Sequence, residues 1–295
     1  MQSIEATFES QGLHCAGTLT LPANADNPPV IVMAHGFACV RAMNLPDLAE
    51  RFVAAGYATF LFDYRNFGDS EGLPRHWVDP KRHQQDWLAA IEHLKTLPQI
   101  DTTRIVLWGT SLSGGHVLTL ASQGIAVQAV IAQFPHVSGL ATLARLHPLS
   151  ALKLTAAGVL DWLGSKLFNW NFYRPVVGRP GEAAGISSPD AWEGLKLILS
   201  SKVVVWENKV LSRVFLKMAF FNPIHLVRRI QVPTLVLAGR TDAVTPASAA
   251  LKAAMRIPRG KFVLIDCNHF EQYVGRGFEE NATEQLGFLR EHVPV

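Results

Sequence analysis

Arg104-Ile-Val-Leu-Trp-Gly-Thr-Ser-Leu-Ser-Gly-Gly-His116 is an apolar run that passes directly into small residues and then into a helical pattern. Such a stretch predicts a strand, a sharp turn and a helix, with Ser111 standing on the turn. Small neighbours are needed there because strand and helix backbones approach closely. Gly109 and Ser113 flank Ser111 two residues to either side, giving Gly-x-Ser-x-Ser with Gly114 and Gly115 next. Ser113 is therefore a rival nucleophile, and a serine-rich helix cap is the plain structural alternative.

Outward from this stretch, further short runs rich in Val, Ile and Leu recur at Val30 to Met33, Ala58 to Phe62, Ala129 to Ala132, Thr234 to Leu237 and Phe262 to Ile265. Runs apolar on both faces suit parallel strands covered on two sides. Helical patterns separate them, including Leu45, Leu48, Phe52 and Val53 before Gly56, and Trp87, Leu88, Ile91 and Leu94 before Pro98. The N-terminus alternates through Ile4, Ala6 and Phe8, can turn at Gln11-Gly12, and alternates again from Leu13 to Leu21. The expectation is an α/β fold: a doubly wound, mostly parallel sheet of about eight strands with an antiparallel hairpin on one edge.

One interval breaks the alternation. Residues 136–221 read as an inserted helical cap between core segments 1–135 and 222–295, with helices expected over Leu149 to Phe168 and Leu195 to Phe221 and a Pro- and Gly-rich loop between them. The core resumes with a helix start at Asn222-Pro223.

A serine hydroxyl needs a base to take its proton, and the base needs a partner to fix its tautomer. Among eleven histidines, His269 follows the strand ending at Ile265 through a short polar turn. Asp242 similarly follows Leu237-Ala-Gly-Arg-Thr, ahead of Thr245-Pro246. Both then lie beyond carboxyl ends of strands, where open α/β sheets collect ligands. The strand ending in Met33-Ala-His-Gly-Phe37 faces the same region, so the N–H groups of Phe37 and Leu112 are the candidate oxyanion hole.

His35-Gly36-Phe37, Asp63-Tyr-Arg-Asn-Phe-Gly-Asp-Ser70, Gly109-Thr-Ser-Leu-Ser-Gly114, Gly239-Arg-Thr-Asp242 and Asn268-His269-Phe270 resemble the α/β-hydrolase superfamily over nearly the whole chain outside the cap. The cap, with Gly178-Arg-Pro-Gly181, Ser188-Pro-Asp190 and Trp206-Glu-Asn208, is similar to a bacterial group related to dienelactone hydrolases and Xaa-Pro peptidases. The resemblance extends to polyketide acyltransferases and thiohydrolases, so it implies acyl transfer and leaves the acceptor open. Where the family usually has Asp-x-Arg-Gly, this chain has Asn66. Tyr64 is a candidate further donor to the acyl oxygen or a packing residue. His136 and Trp162 are candidate substrate contacts, and the apolar and aromatic residues from Leu152 to Phe172 are either pocket lining or cap core.

Composition narrows the classes. A formal charge of +3 over 295 residues, with scattered Lys and Arg, gives no nucleic-acid surface. Three cysteines without zinc spacing describe no disulfide framework, and a cytoplasmic location is the default reading. Met1 to Ser10 lacks the basic start and apolar stretch of a secretory signal, and Gly114 to Ala132 is too interrupted for an integral membrane segment. No His-Glu-x-x-His or other ligand cluster calls for a metal, and no cofactor is expected. The expected partner is a small acyl ester or thioester. Peptides are disfavoured for want of a carboxylate pair to anchor an amine. Oligomeric state stays open, a homodimer included. Three functions follow: a serine esterase or thioesterase, an acyltransferase using the same triad, or a ligand-binding fold without catalysis.

Overall fold

The computed structural model describes residues 1–23, 25–199 and 205–295. The first strands, β1 (Gln2–Glu5), β2 (Phe8–Ser10), β3 (Leu13–Cys15) and β4 (Gly17–Leu21), form one antiparallel ribbon, β1 pairing with β4 and β2 with β3. Its turn is where the sequence predicts it: Gln11 and Gly12 both take positive φ, 53° and 77°, the hairpin geometry that glycine adopts without steric cost. Next come β5 (Pro29–Ala34), α1 (Leu45–Ala54), β6 (Ala58–Phe62), α2 (Pro80–Leu94), β7 (Asp101–Thr110), α3 (Leu112–Ala121) and β8 (Ala129–Gln133). After a long excursion, β11 (Thr234–Gly239), α8 (Ala247–Ala254), β12 (Gly260–Ile265) and α9 (Gly275–His292) complete the core.

Eight strands form one sheet in the order β1-β4-β6-β5-β7-β8-β11-β12. The β1–β4 and β4–β6 pairs are antiparallel and the remaining pairs parallel, as the alternation of apolar runs and helical patterns requires. Side chains alternate between faces with period two. Val30, Val32 and Ala34 of β5 join the cluster under α2, α3 and α8, whereas Ile31 and Met33 join the one under α1 and α9. Complete burial of a side chain the size of Leu or Phe stabilises by about 1.5–3 kcal/mol, and β5, β6 and β8 are buried along their whole length. The carboxyl ends of the central strands are thus held from both sides.

The excursion between β8 and β11 contains α4 (Gly139–Leu143), α5 (Pro148–Leu167), β9 (Tyr173–Arg174), α6 (Ala191–Leu199), β10 (Val210–Leu211) and α7 (Phe215–Met218). Helix α5 matches expectation to within a residue at each end. The long second helix does not. Helix α6 starts at Ala191 and ends at Leu199, residues 200–204 of that expected helix lie outside the described residues, and from Val205 the chain is extended before β10. Asn208 anchors this stretch, its side chain accepting from Val177 N–H (2.9 Å) and donating to Val177 C=O (2.8 Å), a tertiary tie that local periodicity does not reveal. The expected helix at Asn222-Pro223 is a single 3-10 turn, Pro223–His225.

Side-chain knots hold the excursion in place. Asp161, completely buried on α5, accepts from Phe172 N–H (2.8 Å), Arg213 N–H (2.8 Å) and the Arg213 guanidinium (2.8 and 2.9 Å). Lys217 on α7 pairs with Asp79, which caps α2, and Trp206 donates to Ala38 C=O at 2.8 Å. No helix among the described residues is long and apolar enough to cross a membrane.

Candidate active site

Ser111 joins β7 to α3 and adopts φ 53° and ψ −116°, a conformation an L-residue holds only when its surroundings impose it. The imposition is visible in the backbone: Ser111 N–H donates to Gln133 C=O at 2.9 Å, and Ser111 C=O accepts from His136 N–H at 2.8 Å. A side chain on Gly109 would stand 2.3 Å from the Ser113 carbonyl oxygen, so glycine is required where strand and helix cross.

His269 and Asp242 arrive from the ends of β12 and β11. His269 Nε2 lies 3.2 Å from Ser111 Oγ, and His269 Nδ1 lies 2.7 Å from Asp242 Oδ2. All three residues are buried. With a carboxylate at Nδ1, the ring carries its proton there and turns the Nε2 lone pair to the serine. Burial alone would raise the Asp242 carboxyl, but the facing His269, its hydrogen bond and the Thr245 donors outweigh it and hold the group below the ordinary carboxylate range. Asp242 Oδ1 accepts the N–H groups of Val244 and Thr245, both at 2.7 Å. The Thr245 hydroxyl reaches Asp242 Oδ2 at 2.8 Å and His269 Nδ1 at 3.3 Å. Thr245 escaped notice as a site residue; its signal was a hydroxyl three residues after the aspartate, the spacing of a local side chain-to-backbone turn.

The loop after β5 passes close to the serine: a Cβ on Gly36 would lie 3.0 Å from Ser111 Cβ. Leu112 opens α3, so its N–H has no partner within the helix. Phe37 and Leu112 line a cavity of about 320 Å³ together with Ser111, His136, Leu143, Leu146, Leu154, Phe215, Met218 and Phe220. A smaller space of about 50 Å³, bordered by His269, Cys39, Phe270 and Tyr273, also reaches Ser111. Burial raises the thiols of Cys15, Cys39 and Cys267 to about 12, so none is a competing thiolate. Among the described residues, no group of three or more His, Cys, Asp or Glu is placed to hold a metal ion.

A model described as the alpha/beta hydrolase family matches residues 31–279. The chain belongs to that family. Over 292 residues it is 38% identical to the quorum-quenching protein AidA of Acinetobacter baumannii, covering 99% of this chain and 96% of that protein. A thiohydrolase of Eupenicillium brefeldianum is 27% identical over 288 residues, covering 95% of this chain and 91% of its own. The crystal structure of the alpha/beta hydrolase GrgF from Penicillium superposes over the full length of both chains with a TM-score of 0.84 at 22% identity, a likeness of fold.

Within this alpha/beta hydrolase, the other expected contacts divide. His136 does line the cavity, its ring stacked on Phe221 and its Nδ1 3.3 Å from the Thr142 hydroxyl. Burial, reinforced by the neighbouring His269, lowers His136 to about 4, so it is neutral at pH 7. Tyr64 does not reach the acyl site. It is fully buried, its hydroxyl meeting Ser113 Oγ and accepting from Trp87 Nε1 at 2.7 Å. Ser113 in turn donates to His35 C=O at 2.5 Å, which ties α3 to the loop carrying Phe37 and removes Ser113 as a rival nucleophile. Trp162 is also a correction: it lies half exposed, away from the cavity, because α5 turns Leu154, Ala157, Gly158 and Asp161 inward. Asn66 occupies φ 75°, the left-handed region that explains the family's usual glycine and that asparagine tolerates. Its side chain donates to Pro74 C=O at 2.9 Å, so this loop shapes its own path.

Proposed function

We propose that the protein is a serine hydrolase that cleaves carboxylic esters or thioesters of apolar acyl groups through an acyl-enzyme on Ser111. The observation that carries this reading is the continuous path Ser111 Oγ to His269 Nε2 to Asp242, opening on an apolar cavity. Ser111 Oγ attacks the acyl carbonyl while His269 Nε2 takes its proton. The N–H groups of Phe37 and Leu112 receive the developing oxyanion; a donor fixed in advance is worth a factor of about 100–1,000 in rate. His269 then protonates the leaving alcohol or thiol, and water, giving its proton to the same nitrogen, releases the acid. Asp242 remains ionised throughout and orients the ring.

The two cavities support a division of the substrate between them. The leaving group must sit where His269 can protonate it, beside the small space; the large apolar cavity then takes the acyl chain. Among the described residues, no carboxylate lines the large cavity to hold a peptide amine. Segment 136–221 acts as a cap whose α4, α5 and α7 wall the acyl side, and its likeness to the dienelactone-hydrolase and Xaa-Pro-peptidase-related group belongs to this proposal. The name of the quorum-quenching relative fits a small-molecule substrate.

A fluorophosphonate probe should label Ser111, and Ser111→Ala should abolish labelling and lower ester turnover on the order of a million-fold. Retention of most turnover in that variant sinks the reading. Run with p-nitrophenyl esters and acyl thioesters of graded length, the assay should peak at medium or long chains. Adding a dilute alcohol acceptor separates hydrolysis from acyl transfer by product.

A further inference from the structure

Helix α5 is apolar on two opposite faces. Leu154, Ala157, Gly158, Asp161 and Gly164 face the protein and are buried. At about 100° per residue, Leu149, Leu152, Val159, Leu160, Leu163 and Leu167 fall on the other side, and they range from 40% exposed (Leu163) to 66% (Leu152 and Leu167). The outer stripe of a surface helix is ordinarily polar, and a helix apolar all round is ordinarily covered on all sides. Trp162, Phe168 and Trp170, also exposed, lie in or just after the C-terminal half of α5, and exposed Leu143 and Phe220 line the cavity beside Ser111.

The charges that edge this patch are mainly basic, with Glu182 beside Arg179 the exposed acid next to it. From His136 to Gly181 the sequence holds Arg145, Lys153, Lys166, Arg174 and Arg179 against a single carboxylate, Asp161, which is buried and held by Arg213. Lys153 and Lys166, both exposed, edge the leucine stripe on opposite sides. A second copy docked antiparallel through the centre of this stripe would bring no carboxylate of its own stripe to meet Lys153 or Lys166. Leucines flanked by lysines and half-exposed tryptophans instead complement an anionic lipid surface, where aromatic rings settle at headgroup level and cations near the surface each add attraction.

We propose that this face docks on an anionic bilayer, with the α5 stripe at the boundary of headgroups and acyl chains and the rim of the cavity beside it. An apolar acyl substrate then passes from the lipid into the site without crossing water. The docking itself does not depend on the chemistry at Ser111; only the delivery step rests on the hydrolase reading.

The test is flotation of the full-length chain with vesicles of phosphatidylcholine alone or containing roughly a third phosphatidylglycerol. Binding should require the anionic lipid and weaken with salt. Lys153→Gln with Lys166→Gln should reduce the partition coefficient about 30-fold, the product of about fivefold per cation. Leu160→Ser with Leu163→Ser should abolish binding while the circular dichroism and thermal midpoint stay native; the lysine pair serves the same purpose if the leucine variant does not fold. Absence of binding to either vesicle, or equal binding to both, overturns the proposal. So does a stable dimer in sedimentation that the leucine variant disperses, which would assign the face to a second copy. Running Ser111→Ala in parallel keeps the outcomes separate, because that variant should bind lipid like the native chain whether or not Ser111 is the nucleophile.

Discussion

The sheet-borne half of the site and its helical wall are built on different physics. Ser111, Asp242 and His269 each follow the last residues of a parallel strand, and neighbouring strands fix the backbone on both sides of β7 and β11. Their geometry follows from register. Among the described residues the wall from α4 to α7 has one two-stranded pairing, β9 with β10, and a single bridge, and otherwise depends on side chains: Asp161 with Arg213, Lys217 with Asp79, and Trp206 on Ala38. On the proposed reading, chemistry falls to the part least able to move, and the choice of acyl group to the part that a few substitutions can reshape.

The sharpest way to test the rigid half is to change its electrostatics without its shape. Asp242→Asn keeps the hydrogen-bonding volume but loses the charge that selects the Nδ1–H tautomer of His269. Turnover of the best ester should fall about 10,000-fold, with KM and the unfolding midpoint nearly unchanged. A fall of less than tenfold would mean that Asp242 is a turn residue and that another group orients the ring.

The helical wall predicts a different response. Asp161→Ala leaves the Arg213 guanidinium buried without its carboxylate, and losing one partner of such a pair costs about 3–5 kcal/mol. Urea unfolding should register that loss, and selectivity among acyl chain lengths should blur because Phe215, Leu216 and Met218 follow Arg213 directly. Asp161→Leu combined with Arg213→Met should recover most of the stability, since an apolar pair of similar volume needs no charge partner. If the double variant is as unstable as the single, the pair's hydrogen bonds to Phe172 N–H and Asn171 matter more than its charges.

The same contrast explains what the sequence made legible. Apolar runs at Val30 to Met33 and Ile105 to Trp108 read as buried strands because burial on both faces leaves a continuous pattern, and their order fixed the sheet. Ser111, Asp242 and His269 could be read because strand ends are positions, recoverable from pattern alone. Trp162 and Tyr64 could not, since a pattern of apolar residues does not say which side of a helix faces inward or which partner takes a hydroxyl. The sequence leaves Leu152 to Phe172 open as cavity lining or cap core, and only Leu154 of that apolar set lines the cavity; Leu143, Phe215, Met218 and Phe220 come from segments too short to show a period. Asn208 illustrates the limit most plainly: its side chain pairs with the backbone of Val177, 31 residues away, a contact that no local pattern announces.

A smaller effect tests the packing beneath the serine. His116 on α3 is fully buried between His83, Tyr64 and Phe221, and neither of its ring nitrogens has a hydrogen-bond partner among the described residues. Burial, with the neighbouring His136 adding to it, lowers His116 to about 3. The sign of the consequence follows from proton counting. Between pH 6.5 and 4 the unfolded chain binds a proton at this position and the folded chain does not, so stability falls as pH falls, by up to about 1.4 kcal/mol per pH unit. His136, lowered to about 4, contributes in the same direction over most of that window. Buried His35 and His83 act in the same direction, so His116→Phe should remove one of several contributions and shallow the dependence of the urea midpoint on pH between 6.5 and 5. At pH 7 the variant should be as stable as the native chain or more so, because a ring of similar shape replaces polar atoms that make no hydrogen bond. An unchanged slope would mean that His116 is protonated in the folded protein, and the cluster under Ser111 would then hold a charge that must be balanced by Asp79 of the α2 cap, the acidic group that raises His116.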